Sequence, residues 1–197
     1  MSVWFTSDTH FCHTKDFLWA PRGFSSADEM NEALVERWNS VVPKGWDAIV
    51  YHLGDMCLTD TDAAIPYIKR LNGEIIWIRG NHDTDNKIKT ILHECSHINM
   101  ACYMNWDTSW SMILKDGKRH LYLSHYPTLT ANYDEKHFSQ HIISLHGHTH
   151  SKDKWMDANN PFLYNVCLDA HNCYPIALED IISDIRKKWE NLKLDNV

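Results

Sequence analysis

Residues 75–83 read I-I-W-I-R-G-N-H-D, an apolar run that stops at a glycine and is followed at once by an amide, an imidazole and a carboxylate. Ile75, Ile76, Trp77 and Ile78 are β-formers without the polar alternation of a half-exposed strand. The run therefore predicts a strand covered on both faces, which places it inside a layered fold rather than at a solvated edge. Gly80 offers backbone angles closed to other residues, so Asn81, His82 and Asp83 are expected to turn sharply back across the strand end. Alone, G-N-H-D is a weak signal.

Four further stretches repeat the arrangement. A strand over residues 3–6 ends in S-D-T-H, carrying Asp8 and His10, and a strand over 47–53 ends in Gly54-Asp55. Strands over 120–123 and 142–145 run into Ser124-His125 and His146-Gly147-His148-Thr149-His150. Between them lie helical patterns. Ser26 and Glu29 form an S-x-x-E capping box before a helix presenting Met30, Ala33, Leu34, Trp38 and Val41 on one face, expected to stop before Pro43. A second helix begins at Asp60 or Thr61 and runs through Leu71 despite Pro66. A third covers the residues after Asp83 to about Leu92, and a last one places Leu178, Ile181, Ile182, Ile185, Trp189 and Leu192 on one side. Asp116-Gly117 predicts a hairpin joining 111–114 to 120–123. A further hairpin is expected to contain 163–166, with a turn near Asn172. With no repeat or linker, residues 1–197 are read as a single domain of α/β class.

Charge and cysteine content narrow the function. A formal net charge of −7 and no long Lys/Arg run disfavour stable nucleic-acid binding. Six cysteines, at 12, 57, 95, 102, 167 and 173, include no C-x2-C pair, and no basic and apolar leader precedes the first strand. Reduced thiols in the cytoplasm are the expectation. No apolar run approaches the ~20 residues of a membrane span.

The five strand ends bring two carboxylates, one amide oxygen and four imidazoles, with His82 in addition. Each piece alone has an ordinary explanation: a helix cap, a turn residue before proline, a surface histidine cluster. Together those explanations require five coincidences at five strand ends. A mononuclear catalytic site commonly uses three protein ligands and an open position, so this set is too large for one ion. Two ions sharing a carboxylate match the count, and mixed imidazole and carboxylate donors suit manganese, iron or zinc.

In order, these blocks are D-x-H, G-D, G-N-H-D, H and G-H-x-H, and the chain resembles the calcineurin-like metallophosphoesterases, extending from Asp8 to His150. The resemblance implies a β-sandwich flanked by helices, without a cap domain. It implies one metal on Asp8, His10, Asp55 and His150 and a second on Asp55, Asn81, His125 and His148, with Asp55 as the bridge. His82 matches the family's catalytic histidine, which contacts the phosphate and protonates the leaving oxygen. The N-V-C-L-D run of 165–169 resembles small bacterial and phage members, with Cys167 and Cys12 standing where glycine is usual. Hydrolysis of a phosphate ester by a metal-activated hydroxide follows, with a small phosphodiester as the favoured substrate. Arg22 and His13 are candidate substrate contacts, and Arg79 is expected to be structural. A phosphomonoesterase or a nuclease using the same site are the alternatives, as is a catalytically silent binding scaffold. A scaffold is expected to lack ligands or His82, and none is missing. A nuclease acting on long strands is expected to carry a basic track.

Overall fold

The computed structural model describes residues 1–58, 60–101, 103–104, 107–130, 135 and 137–194. Cys102 and part of the connection between Pro127 and the strand expected over 142–145 lie outside them. β1 (Ser2–Thr6) is followed by the short helix α1 (Asp16–Trp19) and by α2 (Ala27–Val41). Ser26 caps α2, its hydroxyl accepting the Glu29 N–H at 3.1 Å. The Glu29 carboxylate takes the N–H and hydroxyl of Ser25, so the reciprocal half of the predicted box is shifted by one residue. Met30, Leu34 and Trp38 are buried, and Ala33 and Val41 lie at the margin of that core. The helix stops where Val42, preceding Pro43, turns extended, the conformation that a following proline favours.

β2 (Ala48–His52) leads to α3 (Thr61–Ile68), capped by Asp60. α3 ends three residues before the expected Leu71, because residues 70 and 71 bond three residues back, to Tyr67 and Ile68, in tight turns. β3 (Glu74–Trp77), α4 (Asp85–Glu94) and β4 (Ile98–Met100) follow. The strand pair β5 (Tyr103–Met104) and β6 (Asp107–Thr108) precedes β7 (Ser111–Asp116) and β8 (Arg119–Ser124). β7 and β8 form the predicted hairpin, Asp116 opposite Arg119, with Gly117 at φ +58° in its turn. The chain closes with β9 (Ile142–His146), β10 (Leu163–Asn165), β11 (Ile176–Ala177) and α5 (Leu178–Leu194).

Two sheets face each other. The first has the order β11-β1-β2-β3-β4, with β1 to β4 parallel and β11 antiparallel at its edge. The second has the order β10-β9-β8-β7. Here one expectation is corrected: β10 runs parallel to β9, with Asn165 opposite His146, and its antiparallel pairing is a single bridge from Tyr164 to Trp155. A hairpin reading assumes that sequence neighbours pair. The chain instead crosses back to extend the sheet.

The two cores explain the apolar run of β3. Ile75 and Trp77 belong to a core shared with Trp38, Val50, Ile88 and Ile91, where the helices cover the first sheet. Ile76 packs against a second core that joins Phe5 and Tyr51 to Leu121, Leu123, Leu145 and Tyr164 of the second sheet and to Ile181 and Ile185 of α5. Each such side chain contributes about 1.5 to 3 kcal/mol on burial, so the sandwich is held from both faces of one sheet. Parallel register then aligns Thr6, His52 and Trp77. The loops that follow them leave from one edge. A bridge between Ser7 and Cys167 ties the sheets together there. Among the described residues no helix is long and apolar enough to cross a membrane.

Candidate metal centre

The loops at this edge are conformationally strained. Asp8, His10, Asp55, His148 and His150 all have left-handed backbones, with φ between 47° and 68°. Asp and His tolerate that region better than branched residues do, yet each costs on the order of 1 to 3 kcal/mol. Strain on this scale persists where packing over-determines the backbone, as around a site whose side chains must converge. Gly54 has a left-handed backbone, φ +97°, but Gly80 and Gly147 have a different role from the one the sequence suggests. Gly80 is not in the left-handed region; its importance is room, since a Cβ there would lie 2.2 Å from Asp55 Oδ1. A Cβ on Gly147 would lie 2.2 Å from Ser7 Oγ and 2.4 Å from Asp8 Oδ2.

The side chains form two adjoining groups. His10 Nε2 is 3.2 Å from His150 Nε2, 3.8 Å from Asp8 Oδ1 and 3.7 Å from Asp55 Oδ2, and His150 Nε2 is 3.6 Å from Asp8 Oδ1. In the second group Asn81 Oδ1 is 2.8 Å from His125 Nε2 and 3.0 Å from His148 Nδ1, with 3.2 Å between the two imidazole nitrogens. Asp55 Oδ2 adjoins this group too, 3.5 Å from His125 Nε2. Ligands at about 2.0 to 2.2 Å from one ion stand roughly 3 to 3.5 Å apart, so these separations match a coordination shell. Asp8 Oδ1 and His10 Nδ1 are buried without a hydrogen-bond partner, and an orphaned carboxylate oxygen is a place a cation fits.

Outer contacts hold the donors in place. The His125 Nδ1–H donates to Leu53 O at 2.8 Å, which turns Nε2 toward the site. Asp8 Oδ2 accepts the Ser7 hydroxyl at 2.5 Å and the His148 N–H at 2.9 Å, leaving Oδ1 free to face the histidines. Two residues that sequence reasoning passed over carry much of this support. Asp83, the last residue of G-N-H-D, accepts the N–H groups of Asp55, Gly80 and Met56 at 2.7, 2.8 and 3.2 Å and the Trp77 indole N–H at 3.1 Å. Asp169 Oδ2 lies 2.9 Å from His150 Nδ1. The fixed acidic position in G-N-H-D could have pointed to Asp83; for Asp169 the only hint was the N-V-C-L-D run.

A cation needs neutral imidazoles and ionised carboxylates; the surroundings favour that state at Asp8, His10 and His148, whereas burial raises the pKa of Asp55 despite His125 and the His82 N–H. Burial holds the His10 pKa well below its ordinary value and lowers that of His148, so both lone pairs stay available. For Asp8, burial opposes ionisation, but His125, His10, His150 and the Ser7 hydroxyl outweigh it and bring the pKa below the usual carboxylate value. Burial works against a charged His150 as well, yet the bond to Asp169 and the nearby Asp8 raise its pKa. Cys167 also approaches His150 and Asp169, but burial lifts its thiol well above the ordinary range and keeps it a poor ligand.

His10, Asp55, Asn81, His148 and His150 line the floor of a cleft of about 290 Å³, whose walls include His13, Phe17, Leu18, Leu58 and His82. A larger groove, about 410 Å³, lies away from these residues between the β7–β8 hairpin and α5. His82 is 47% exposed, with Nε2 3.9 Å from Asp55 Oδ2, and its N–H donates to Asp55 Oδ1 at 2.9 Å. His13 is buried in the wall, with Nδ1 accepting the Lys15 N–H. Arg22 requires a correction. Its side chain is 1% exposed and lies behind the site, bonded to both Asp169 oxygens and to the carbonyls of Asp8 and Thr9, so it presents no donor to the cleft. Arg79 pairs with Asp85 and stacks over Trp110, the structural role expected for it.

Residues 1–193 match the calcineurin-like phosphoesterases, and the chain belongs to that family. It is a metal-dependent hydrolase of phosphoric esters by class. An uncharacterized protein of Methanocaldococcus jannaschii is 30% identical over 194 residues, covering 94% of this chain and 92% of that one. The gene 66 protein of Mycobacterium phage D29 is 31% identical over 201 residues, covering 94% of this chain and 98% of the phage protein. A protein of unknown function from Aquifex aeolicus shares the fold, with a TM-score of 0.66 at 20% identity over 92% of this chain and 98% of its own.

Proposed function

We propose that the chain hydrolyses a small phosphodiester using two divalent ions, one on Asp8, His10, Asp55 and His150 and the other on Asp55, Asn81, His125 and His148. The observation that carries this reading is the position of Asp55 Oδ2, within 3.7 Å of His10 Nε2 and 3.5 Å of His125 Nε2, at the junction of the two groups. When bound, such ions supply Lewis acidity toward phosphoryl oxygens and a nucleophile at neutral pH. Imidazole with carboxylate suits manganese, iron or zinc, and manganese is the ion of choice for assay.

The chain's own residues supply the rest. Asp55 orients His82 through the backbone N–H, and the exposed imidazole faces the cleft. As a water oxygen forms its bond to phosphorus and loses a proton to solvent, the ester P–O bond breaks and His82 hands a proton to the leaving oxygen, recovering one from solvent after turnover. Preference for a diester over a monoester is supported by the cleft walls, which include no Lys or Arg among the described residues. A monoester dianion carries more charge, and sites specialised for it commonly add a fixed guanidinium; Arg22 is committed elsewhere. The free cysteines among the described residues support a reducing compartment, the cytoplasm.

The test compares kcat/KM of the manganese-loaded protein for a diester and a monoester with the same leaving group. Diester preference is expected, and monoester preference overturns that part of the reading. Salt dependence addresses the nuclease alternative, for which a steep loss of affinity with salt is expected. No turnover of any ester by protein carrying two ions per chain would return the chain to the scaffold alternative.

A further inference from the structure

The cleft has one wall that phosphate chemistry does not use. α1 is only four residues long, and it buries Leu18 while leaving Phe17, on the cleft wall, 69% exposed. Leu58 stands in the same lining. Phe17 is held by an edge-to-face contact with His13, ring centroids 5.1 Å apart at 78°, and His13 in turn meets His10 edge-on at 6.1 Å. The exposed ring is thus linked to the candidate metal ligands by one intervening imidazole. A large aromatic ring left this open forfeits much of the stabilisation that burial provides. The contact with His13 fixes the ring's orientation, so a flat group can cover its open surface with little further ordering.

We propose that Phe17 forms a stacking subsite for a flat aromatic group, aryl or nucleobase, carried by the phosphate ester. This rests on the phosphodiesterase reading and names the substrate class within it. A diester has the second substituent such a subsite requires. The sequence tolerance of stacking follows from the ring face itself, because a phenyl group and a base present the same kind of surface. The subsite fixes selectivity without touching the reacting phosphorus.

The experiment uses manganese-loaded protein and diesters sharing one 4-nitrophenyl leaving group, with methyl, phenyl or thymidine as the second substituent. Wild type is expected to favour phenyl and thymidine over methyl by about 5- to 100-fold in kcat/KM, the range that stacking on one ring supplies. Phe17→Ala is expected to bring both ratios close to unity and Phe17→Trp to restore them. Loss in the thymidine arm alone assigns the subsite to a nucleobase. Ratios unchanged in Phe17→Ala overturn the proposal while leaving diester hydrolysis standing. Calorimetric binding of phenylphosphonate and methylphosphonate to the same proteins separates the two readings. A phenyl preference that disappears in Phe17→Ala supports the subsite even if no diester is hydrolysed, and equal binding of both phosphonates by wild type overturns it.

Discussion

Arg22 and Asp169 meet through two parallel hydrogen bonds, Nε to Oδ1 at 3.0 Å and Nη2 to Oδ2 at 2.8 Å, with both side chains buried directly behind the candidate metal ligands. The same Asp169 oxygen reaches His150, and the same guanidinium nitrogen donates to the Asp8 carbonyl at 2.8 Å. Burial opposes a charged Asp169, but its bonds to His150 and Arg22 overcome this and hold its pKa far below the usual range. One ion pair therefore braces two strained loops.

Removing one partner of such a pair strands a buried charge. Arg22→Ala is expected to lower stability by about 3 to 5 kcal/mol, and loosening this outer contact should weaken metal binding about 10- to 100-fold. Arg22→Lys should rescue poorly, because an ammonium lacks the planar fork. Denaturant unfolding and metal titration check both effects. A changed preference between monoester and diester with unaltered metal affinity would return Arg22 to the substrate.

Asp55→Ala removes the oxygen shared by the two groups. Metal content should fall at both positions, to well below two ions per chain, with loss of hydrolysis. Elemental analysis of the purified variant decides this, and two ions retained per chain would remove the bridge assignment.

His82→Ala should behave differently, because its imidazole is exposed in the cleft. Both ions are expected to stay while kcat falls by about 10²- to 10⁴-fold, the usual range for an acid-base group. The deficit should grow as the leaving group becomes a poorer one. Near-normal rates with an alkoxide leaving group would exclude the proton-donor role.

His52, which is not itself a proposed ligand, offers a pH prediction. It is fully buried beside Thr9 Oγ1, and burial pushes its pKa from 6.5 down to about 3. The unfolded chain thus binds a proton near pH 6.5 that the folded chain refuses until about pH 3. Stability is full above the unfolded value and declines as pH falls between the two, by about 1.4 kcal/mol per unit for this one group. Unfolding of metal-free protein from pH 7 to 5 should show that decline, and His52→Gln should flatten it. Identical slopes for the two proteins would contradict it.

Much of the architecture was legible locally. The unbroken apolar run at 75–78 anticipated a strand covered on both faces, and Asp116-Gly117 marked the β7–β8 hairpin. These signals lie in neighbouring residues: hydrophobic period, turn-forming residues, a polar group placed directly after a strand. Two readings failed for different reasons, one by a shift of a single residue inside a local cap and one by a crossover that no turn residue announces. Glu29 chose Ser25 over Ser26, and β10 joined β9 in parallel.

The sequence by itself determined most of the elements and the order in which Asp, Asn and His appear at their ends, because period and motif are properties of adjacent residues; α1 and β11 carried no such signal. Only the tertiary structure decided that Gly80 is needed for the approach of Asp55, that Asp83 gathers four N–H groups, and that Arg22 belongs to Asp169 rather than to the cleft. The physical reason is sequence separation. Asp169 lies 147 residues from Arg22, and His150 lies 140 from His10. Which carboxylate meets which cation is set by the packing of two sheets against each other, and no local pattern carries that distance.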